Sequence, residues 1–475
     1  MRTRIEPYRV KAVEPIPFTS PDERERALAD AGWNLFRLPS RLVTIDLLTD
    51  SGFTAMSARQ WAALVEGDEA YAGAESFYRL EREVVHLTGY PHVIPTHQGR
   101  AAERLLFEAI VSPGDVVPGN THFDTTRANL ERLGAIALDL PVESARVPSL
   151  EAPFKGDMDV ESLAAVLEAE LPGRIPLVIV TVTSNSCGGQ PVSLANLREV
   201  RRLCDRHGVP LFLDAARFAE NAWLVREREE RMGALAPRAI ARAMFEQADG
   251  CLMSAKKDGL VNIGGFLALR DGALAERLRR DLVIGEGYAT YGGLAGRDLE
   301  AMAVGLREVL EPSYLADRIA QVCGLGDLLH RAGVPTVRPP GGHAVYLDSR
   351  GFAPQLQPLD LPGHSIACAL YLHAGVRSCE IGQLMRGRPG VSGTEEPVEL
   401  DLVRLAVPRR VYTCCQLDYV AEAVAEVFAH RERLRPFEIV DQPAALRHFG
   451  AVLRPKDEEP ATLGVSAAAA GRLVG

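Results

Sequence analysis

Two lysines, Lys256 and Lys257, stand side by side in "MSAKKDGLVNIGG" (253–265), between a small-residue run and a glycine pair. Most of that stretch reads as a buried strand, and a buried ammonium costs several kcal/mol unless it is paired or neutralised. Either the pair lies on a solvated turn, or one lysine is kept for chemistry that needs an uncharged amine. Upstream, "THQGRAAERLLFEAI" (96–110) sets Gln98, Gly99 and Arg100 at the head of a helical pattern. A helix N-terminus with a glycine and an arginine is a ready anion site, although taken alone it is equally an ordinary capped helix. "DAARFAENA" (214–222) opens with Asp214 at the carboxyl end of an expected strand, the edge where open parallel sheets bind ligands; an aspartate there can also cap a helix. An anion cup, a strand-end carboxylate and a lysine near Ser254, in that chain order, make a pyridoxal-phosphate site. The cup takes the phosphate, the carboxylate pairs with the pyridinium nitrogen, and the lysine forms the Schiff base. The bland readings would have to coincide three times.

Elements able to position these residues are visible in the pattern. "PLVIVTV" (176–182), "LANLREVRRLCDRHG" (194–208) and "VPLFLD" (209–214) read as strand, helix, strand, which implies a parallel crossover in a doubly wound α/β sheet. After residue 311 the texture changes, and "PTVRPPGGHAVYLD" (335–348) and "LVRLAVP" (402–408) read as strands of a smaller α+β unit. At 475 residues, two or more domains are expected. A net charge of −10 argues against a nucleic-acid or anionic-membrane partner. The eight cysteines show neither a CxxC pair nor zinc-like spacing, so free thiols in a reducing cytoplasm fit best. The opening "MRTRIEPYRVKAVEPIPF" is broken by charges and prolines and does not read as a signal peptide; no run of 18 apolar residues suggests a membrane span.

"TSNSCGGQPVSLANL" (183–197), "DAARFAENA", "MSAKKD" and "YGGLAGRDLEAMAVGL" (291–306) resemble the β-eliminating lyases of pyridoxal-phosphate fold type I, over about residues 6–453. The resemblance implies that Lys257 carries the cofactor, with Lys256 beside the phosphate. It implies that Gln98, Gly99, Arg100 and Ser254 hold the phosphate, Phe123 stacks on the ring, and Asp214 keeps the ring nitrogen protonated. It further implies that Asn185 and Arg217 bond the ring oxygen, that Arg404 clamps the substrate carboxylate with Thr49 nearby, and that Tyr71 donates a proton to the leaving carbon, reaching a neighbouring subunit's site. Gly52, Glu69 and Asn262 match positions that hold an activating potassium ion, and a homotetramer is expected. The organisation expected is an N-terminal arm (1–18), a large cofactor-binding domain (45–311), a discontinuous small α+β domain (19–44 and 312–455) and a disordered tail (456–475).

The family has an indole-releasing and a phenol-releasing branch. The phenol enzymes place an arginine where this chain has Ile381, and a buried phenol hydroxyl without a partner would cost roughly 1–3 kcal/mol. They have threonine at the position of Asp124 and phenylalanine at that of His448. Asp124 with His448 supplies acceptor capacity for an indole N–H, and Ile381 an apolar wall. The function implied is β-elimination of L-tryptophan to indole, pyruvate and ammonium. "DGLVNIGG" and "VPRRVYT" lie closer to the phenol branch, which leaves L-tyrosine or a substituted tryptophan as the alternative. For Asp124 a turn cap, and for His448 a buried, satisfied histidine, are the competing explanations. An aminotransferase on the same fold, or a non-catalytic paralogue, is disfavoured by the long motifs and by the presence of Lys257, Asp214 and Arg404.

Overall fold

The computed structural model describes residues 5–169, 174–388 and 395–457; of the expected tail, 458–475 lie outside these. The larger sheet has seven strands: β1 (His92–Thr96), β2 (Val116–Gly119), β3 (Ile136–Asp139), β4 (Val178–Thr181), β5 (Leu211–Asp214), β6 (Gly250–Ser254) and β7 (Gly265–Leu269). Their spatial order is β1-β7-β6-β5-β4-β2-β3, with β7 antiparallel to both neighbours and every other pairing parallel. The carboxyl ends of the other six strands therefore share one edge.

Successive residues of the central strands enter different cores. Val178, Val180, Leu211 and Leu213 pack into one layer, whereas Ile179 and Phe212 pack into the opposite layer. A parallel sheet covered by helices on both faces needs such near-continuous apolar strands, as "LVIV" and "LFL" supply. Helix Gly99–Ile110 covers one face; helices Leu194–His207 and Phe218–Arg228 cover the other.

A second core draws on both parts of the chain, from Ala27 to Leu47 and from Val322 to Leu453. Ile45 and Leu47 belong to it, and Ile45–Asp46 pairs in parallel with Val376–Arg377, so the first crossing falls after Leu47 rather than at 44. Its antiparallel sheet joins β8 (Ala344–Asp348), β9 (Cys379–Ile381) and β10 (Leu402–Ala406), with β10 in the middle. Val345, Leu347, Val403 and Leu405 face its own core, while Tyr346, Cys379, Ile381 and Leu402 form an apolar cluster on the other face. Helix Pro312–Arg331 serves both cores: Leu315 and Ile319 pack in the first, Val322, Leu325 and Leu329 in the second. Among the described residues, no helix is long and apolar enough to cross a membrane.

Candidate active site

The carboxyl edge of the large sheet opens on a cavity. Its lining includes Gln98, Gly99, Arg100, Phe123, Asp214, Ser254, Lys256 and Lys257, eight of the residues singled out from the sequence, together with Ser51, Glu103 and Thr125. Topology brings them together. Gln98 follows β1, Phe123 follows β2, Asp214 ends β5, and Ser254 ends β6 just ahead of the turn that carries the two lysines.

Gly99 begins helix Gly99–Ile110 against the end of β6, and a Cβ there would stand 2.6 Å from Cβ of Ser254. Gly265 is crowded in the same way, its would-be Cβ 2.7 Å from the carbonyl carbon of Gln98. Only glycine lets the helix N-terminus and the strand close up into a cradle of backbone N–H groups. Two cations flank it: Arg100 is exposed, and Lys256 is half-buried with its ammonium destabilised by burial and by Arg100. Like charges held at one cavity wall would be relieved by an anion.

Lys257 keeps some accessible surface, on the cavity it lines, but is otherwise surrounded by protein. Burial, aided by Arg217, brings its amine down to about 8, against the opposing pull of Asp50, Asp214 and Glu103. The amine is thus far easier to deprotonate than an ordinary lysine. Burial pushes the Asp214 carboxyl up and Lys257 opposes it; Asp214 Oδ1 accepts the Ala216 N–H at 3.1 Å.

The small sheet carries Arg404, which stands opposite Cys379 and Tyr346 in register. Arg404 Nη1 donates to Asn185 Oδ1 at 3.0 Å and Nη2 to the Leu48 carbonyl at 2.7 Å. Asn185 Oδ1 also accepts from Tyr346 Oη at 2.8 Å, with His343 Nε2 at 3.0 Å. Arg404 Nε and Asn185 Nδ2 are buried donors without a partner. Buried polar groups are rarely left so, and these two suit an acidic or oxygen-bearing ligand. Arg217 is held in a fork on Asp50 (2.9 and 2.7 Å), which leaves its Nη1 outside the pair. Thr49 accepts the Ser51 N–H at 3.1 Å on the same loop.

Asp124 is the first residue of helix Asp124–Arg132, whose N-cap is Phe123, and its Oδ1 accepts the N–H of the next residue, Thr125, at 2.6 Å. Its Oδ2 lies 3.1 Å from Nε2 of His448, a buried residue. Neither ring nitrogen of His448 makes a hydrogen bond to protein, and Nε2 faces only that carboxylate. The imidazole packs edge-on against Phe36, and Phe36 borders the apolar cluster containing Ile381.

The other eleven singled-out residues are not in the cavity lining, among them Tyr71 and the three expected to hold potassium. Tyr71 is 63% exposed and stacks on Tyr288 and Tyr291. Asn262 Nδ2 donates to the Gly52 carbonyl at 2.9 Å, but Glu69 is exposed and bonds to neither. Gly52 adopts a left-handed φ of +73° over Lys256, and its N–H donates to the Lys256 carbonyl at 2.7 Å, tying this loop to the lysine turn.

Sequence reasoning missed the buried scaffold beneath. Arg409 donates to Asp50, Glu220 and Asp258 at 2.9, 2.8 and 2.9 Å, and Arg318 donates to Glu220 at 2.9 Å. It also missed Glu103, which accepts from Thr126 at 2.7 Å and Thr125 at 3.1 Å; burial and Asp214 still push its carboxyl up to about 7. Glu103 was detectable: it sits one turn after Gly99 on the face of "GRAAERLLFEAI" that is otherwise apolar.

The cavity thus offers an anion cradle, an easily deprotonated amine and a buried carboxylate, and pyridoxal phosphate fits it. Solved structures of low identity share the fold: SPT with PLP superposes with a TM-score of 0.55 at 15% identity, covering 82% of this chain and 88% of that one. The SepCysS–SepCysE N-terminal domain complex gives 0.54 at 14%, covering 82% and 96%. Closer relatives match nearly end to end. Tryptophanase of Salinibacter ruber is 53% identical (97% of each chain), and that of Hyphomonas neptunium 53% (95% and 99%). Tyrosine phenol-lyase of Symbiobacterium thermophilum is 48% identical (96% and 99%). With residues 46–423 also matching the model of the beta-eliminating lyases, a stretch that spans the whole cavity lining, the chain belongs to that family.

Proposed function

We propose that this protein is a pyridoxal-phosphate-dependent carbon–carbon lyase that splits L-tryptophan into indole, pyruvate and ammonium. The observation that carries the choice of substrate is the contact of Asp124 with His448 beside the apolar cluster of Ile381.

Bound at this site, pyridoxal phosphate supplies an electron sink for charge developing at the substrate α-carbon. Gly99, Gln98, Arg100, Ser254 and Lys256 hold its phosphate, and Phe123 packs on its ring and excludes water. Asp214 keeps the ring nitrogen protonated; Asn185 and Arg217 reach the ring oxygen. Arg404 receives the substrate carboxylate, with Thr49 nearby, in planar geometry that lysine could not offer. Lys257, released when substrate binds, is positioned as the base for the α-proton. Tyr71 delivers a proton to C3 of the indole, acting at the site of a neighbouring subunit, which its outward stacking on this chain favours. Protonation at C3 makes the ring nitrogen iminium-like and its N–H a stronger donor. Asp124 and His448 accept that N–H, so they stabilise the transition state more than the ground state.

Gly52, Glu69 and Asn262 form a potassium site at a subunit interface of a homotetramer, working in the cytoplasm, in keeping with eight cysteines that form no disulfide. The second reading, release of phenol from L-tyrosine, is favoured by the wording of "DGLVNIGG" and "VPRRVYT", but no arginine meets the phenolic oxygen at Ile381. Incubating the protein with L-tryptophan and with L-tyrosine and identifying the aromatic released decides between them. Phenol as the main product would overturn the indole reading.

A further inference from the structure

His97 precedes the phosphate cradle in sequence and lies outside the roles given above. Its Nδ1 is bonded to Glu286 Oε2, and its backbone N–H donates to the same oxygen at 3.3 Å. Its Nε2 stands 2.8 Å from the side-chain amide nitrogen of Gln98. Glu286 is 6% exposed at its side chain, and Arg104, one turn after Arg100 on helix Gly99–Ile110, stands 3.4 Å from its other oxygen. The His97 carbonyl accepts the Gly264 N–H at 2.9 Å, which ties the residue to the glycine pair ahead of β7.

These contacts fix a tautomer. A carboxylate at Nδ1 requires the proton there, so Nε2 is the acceptor and the Gln98 amide the donor. One amide hydrogen of Gln98 is thereby taken, and the other is left for the cradle. Gln98 needs this help, because as N-cap of its helix it makes no side-chain cap hydrogen bond of its own. A glutamine has three free torsions, and holding it by one bond to a ring whose Nδ1 is itself held by Glu286 removes much of that freedom.

We propose that His97, held by Glu286, is a positioning residue of the anion cradle, fixing the Gln98 amide for a phosphate group. The inference rests on the reading of the cavity as a pyridoxal-phosphate site. It differs from that reading in the part of the ligand concerned: His97 acts on the phosphate end alone and not on the aldehyde that Lys257 captures.

The test uses the full chain stripped of cofactor and titrated with pyridoxal 5′-phosphate or with pyridoxal, which lacks the phosphate, following the Schiff-base absorbance. His97→Phe removes the acceptor and keeps a ring. It should raise the Kd for pyridoxal phosphate about tenfold, the equivalent of one lost hydrogen bond, and change the Kd for pyridoxal less than about twofold. Glu286→Gln should raise the pyridoxal-phosphate Kd in the same selective way by about threefold. His97→Asn, whose amide can accept from Gln98 and donate to Glu286, should recover most of the loss. Equal weakening of both ligands, or no change with pyridoxal phosphate in either the His97→Phe or the Glu286→Gln variant, overturns the proposal. Should His97→Phe fail to fold, Glu286→Gln decides alone. If the wild-type chain forms no Schiff base with either ligand, the cofactor reading itself falls, which is a different result from a wild type that binds and variants that do not discriminate.

Discussion

Oδ2 of Asp124, on the first turn of a helix of the large sheet unit, stands 3.1 Å from Nε2 of His448, near the end of the described chain. The two residues come from distant parts of the chain, and neither imidazole nitrogen is hydrogen bonded to protein. The pair can therefore accept a hydrogen bond from a ligand without first breaking one. His448→Phe should lower kcat/KM for L-tryptophan by ~10- to 1000-fold, as expected for losing a hydrogen bond that strengthens in the transition state. Turnover of S-alkyl cysteines, whose leaving groups carry no N–H, should fall far less. Equal losses on both substrates would make His448 a packing residue only.

The amine of Lys257, held near 8 by burial and Arg217, predicts how the cofactor-free protein takes up its cofactor. Only the neutral amine attacks an aldehyde, so the rate of Schiff-base formation should climb between about pH 7 and 9 and level off above, where an ordinary lysine would still be rising past 10. Borohydride reduction of the product, followed by peptide mapping, should place the label on Lys257. Label on Lys256, or a rate still climbing at pH 10, would contradict the assignment.

Gly52 joins the proposed potassium site to the lysine turn, since its N–H donates to the Lys256 carbonyl. Exchanging potassium for sodium should lower activity and weaken cofactor retention together. Full activity in sodium alone, or an active monomer by light scattering, would count against the site and the tetramer.

Glu380 and Asp401 form a buried carboxyl pair behind Ile381, near β10 and the short helix Gln383–Arg386. Burial and Asp401 push the Glu380 carboxyl up to about 8, and burial raises that of Asp401 to about 6. The folded chain thus keeps protons that the unfolded chain releases near its ordinary carboxyl values. Their contribution to stability is present at acidic pH and is lost as pH rises through about 6 to 8. Asp401→Asn, which imitates the protonated form, should raise Tm at pH 8.5 by roughly 2 °C more than at pH 5. A gain at pH 5 equal to that at pH 8.5 would show that charge is not the cause.

The residues that local pattern governs were legible. Strand runs such as "LVIV" and "LFLD", the helix after Gly99, and the strand-end place of Asp214 follow from apolar periodicity and glycine chemistry, and the structure sets them on one sheet edge. The lysine turn was half legible: adjacent charges at a strand end flag a turn, but the depth of Lys257 depends on what packs over it. Asp50, Glu220 and Arg409 left no such mark. A charged side chain looks alike in sequence whether solvated or buried, and these three are identified only when segments far apart in the chain converge. Tyr71 touches only Tyr288 and Tyr291 among the aromatic rings, and Glu69 is exposed, so a single chain reveals no role for either.

Helix Pro312–Arg331, lodged in both cores, also governs how the molecule comes apart. Neither core can lose its structure without stripping apolar cover from a helix that the other needs, so heat or denaturant should melt them in one cooperative transition. Leu325→Ala, a change about 2–5 kcal/mol costly in a packed core, lies on the small-sheet side of that helix. It should nonetheless lower the melting point seen by a probe at Lys257, since a defect in one core is shared by both.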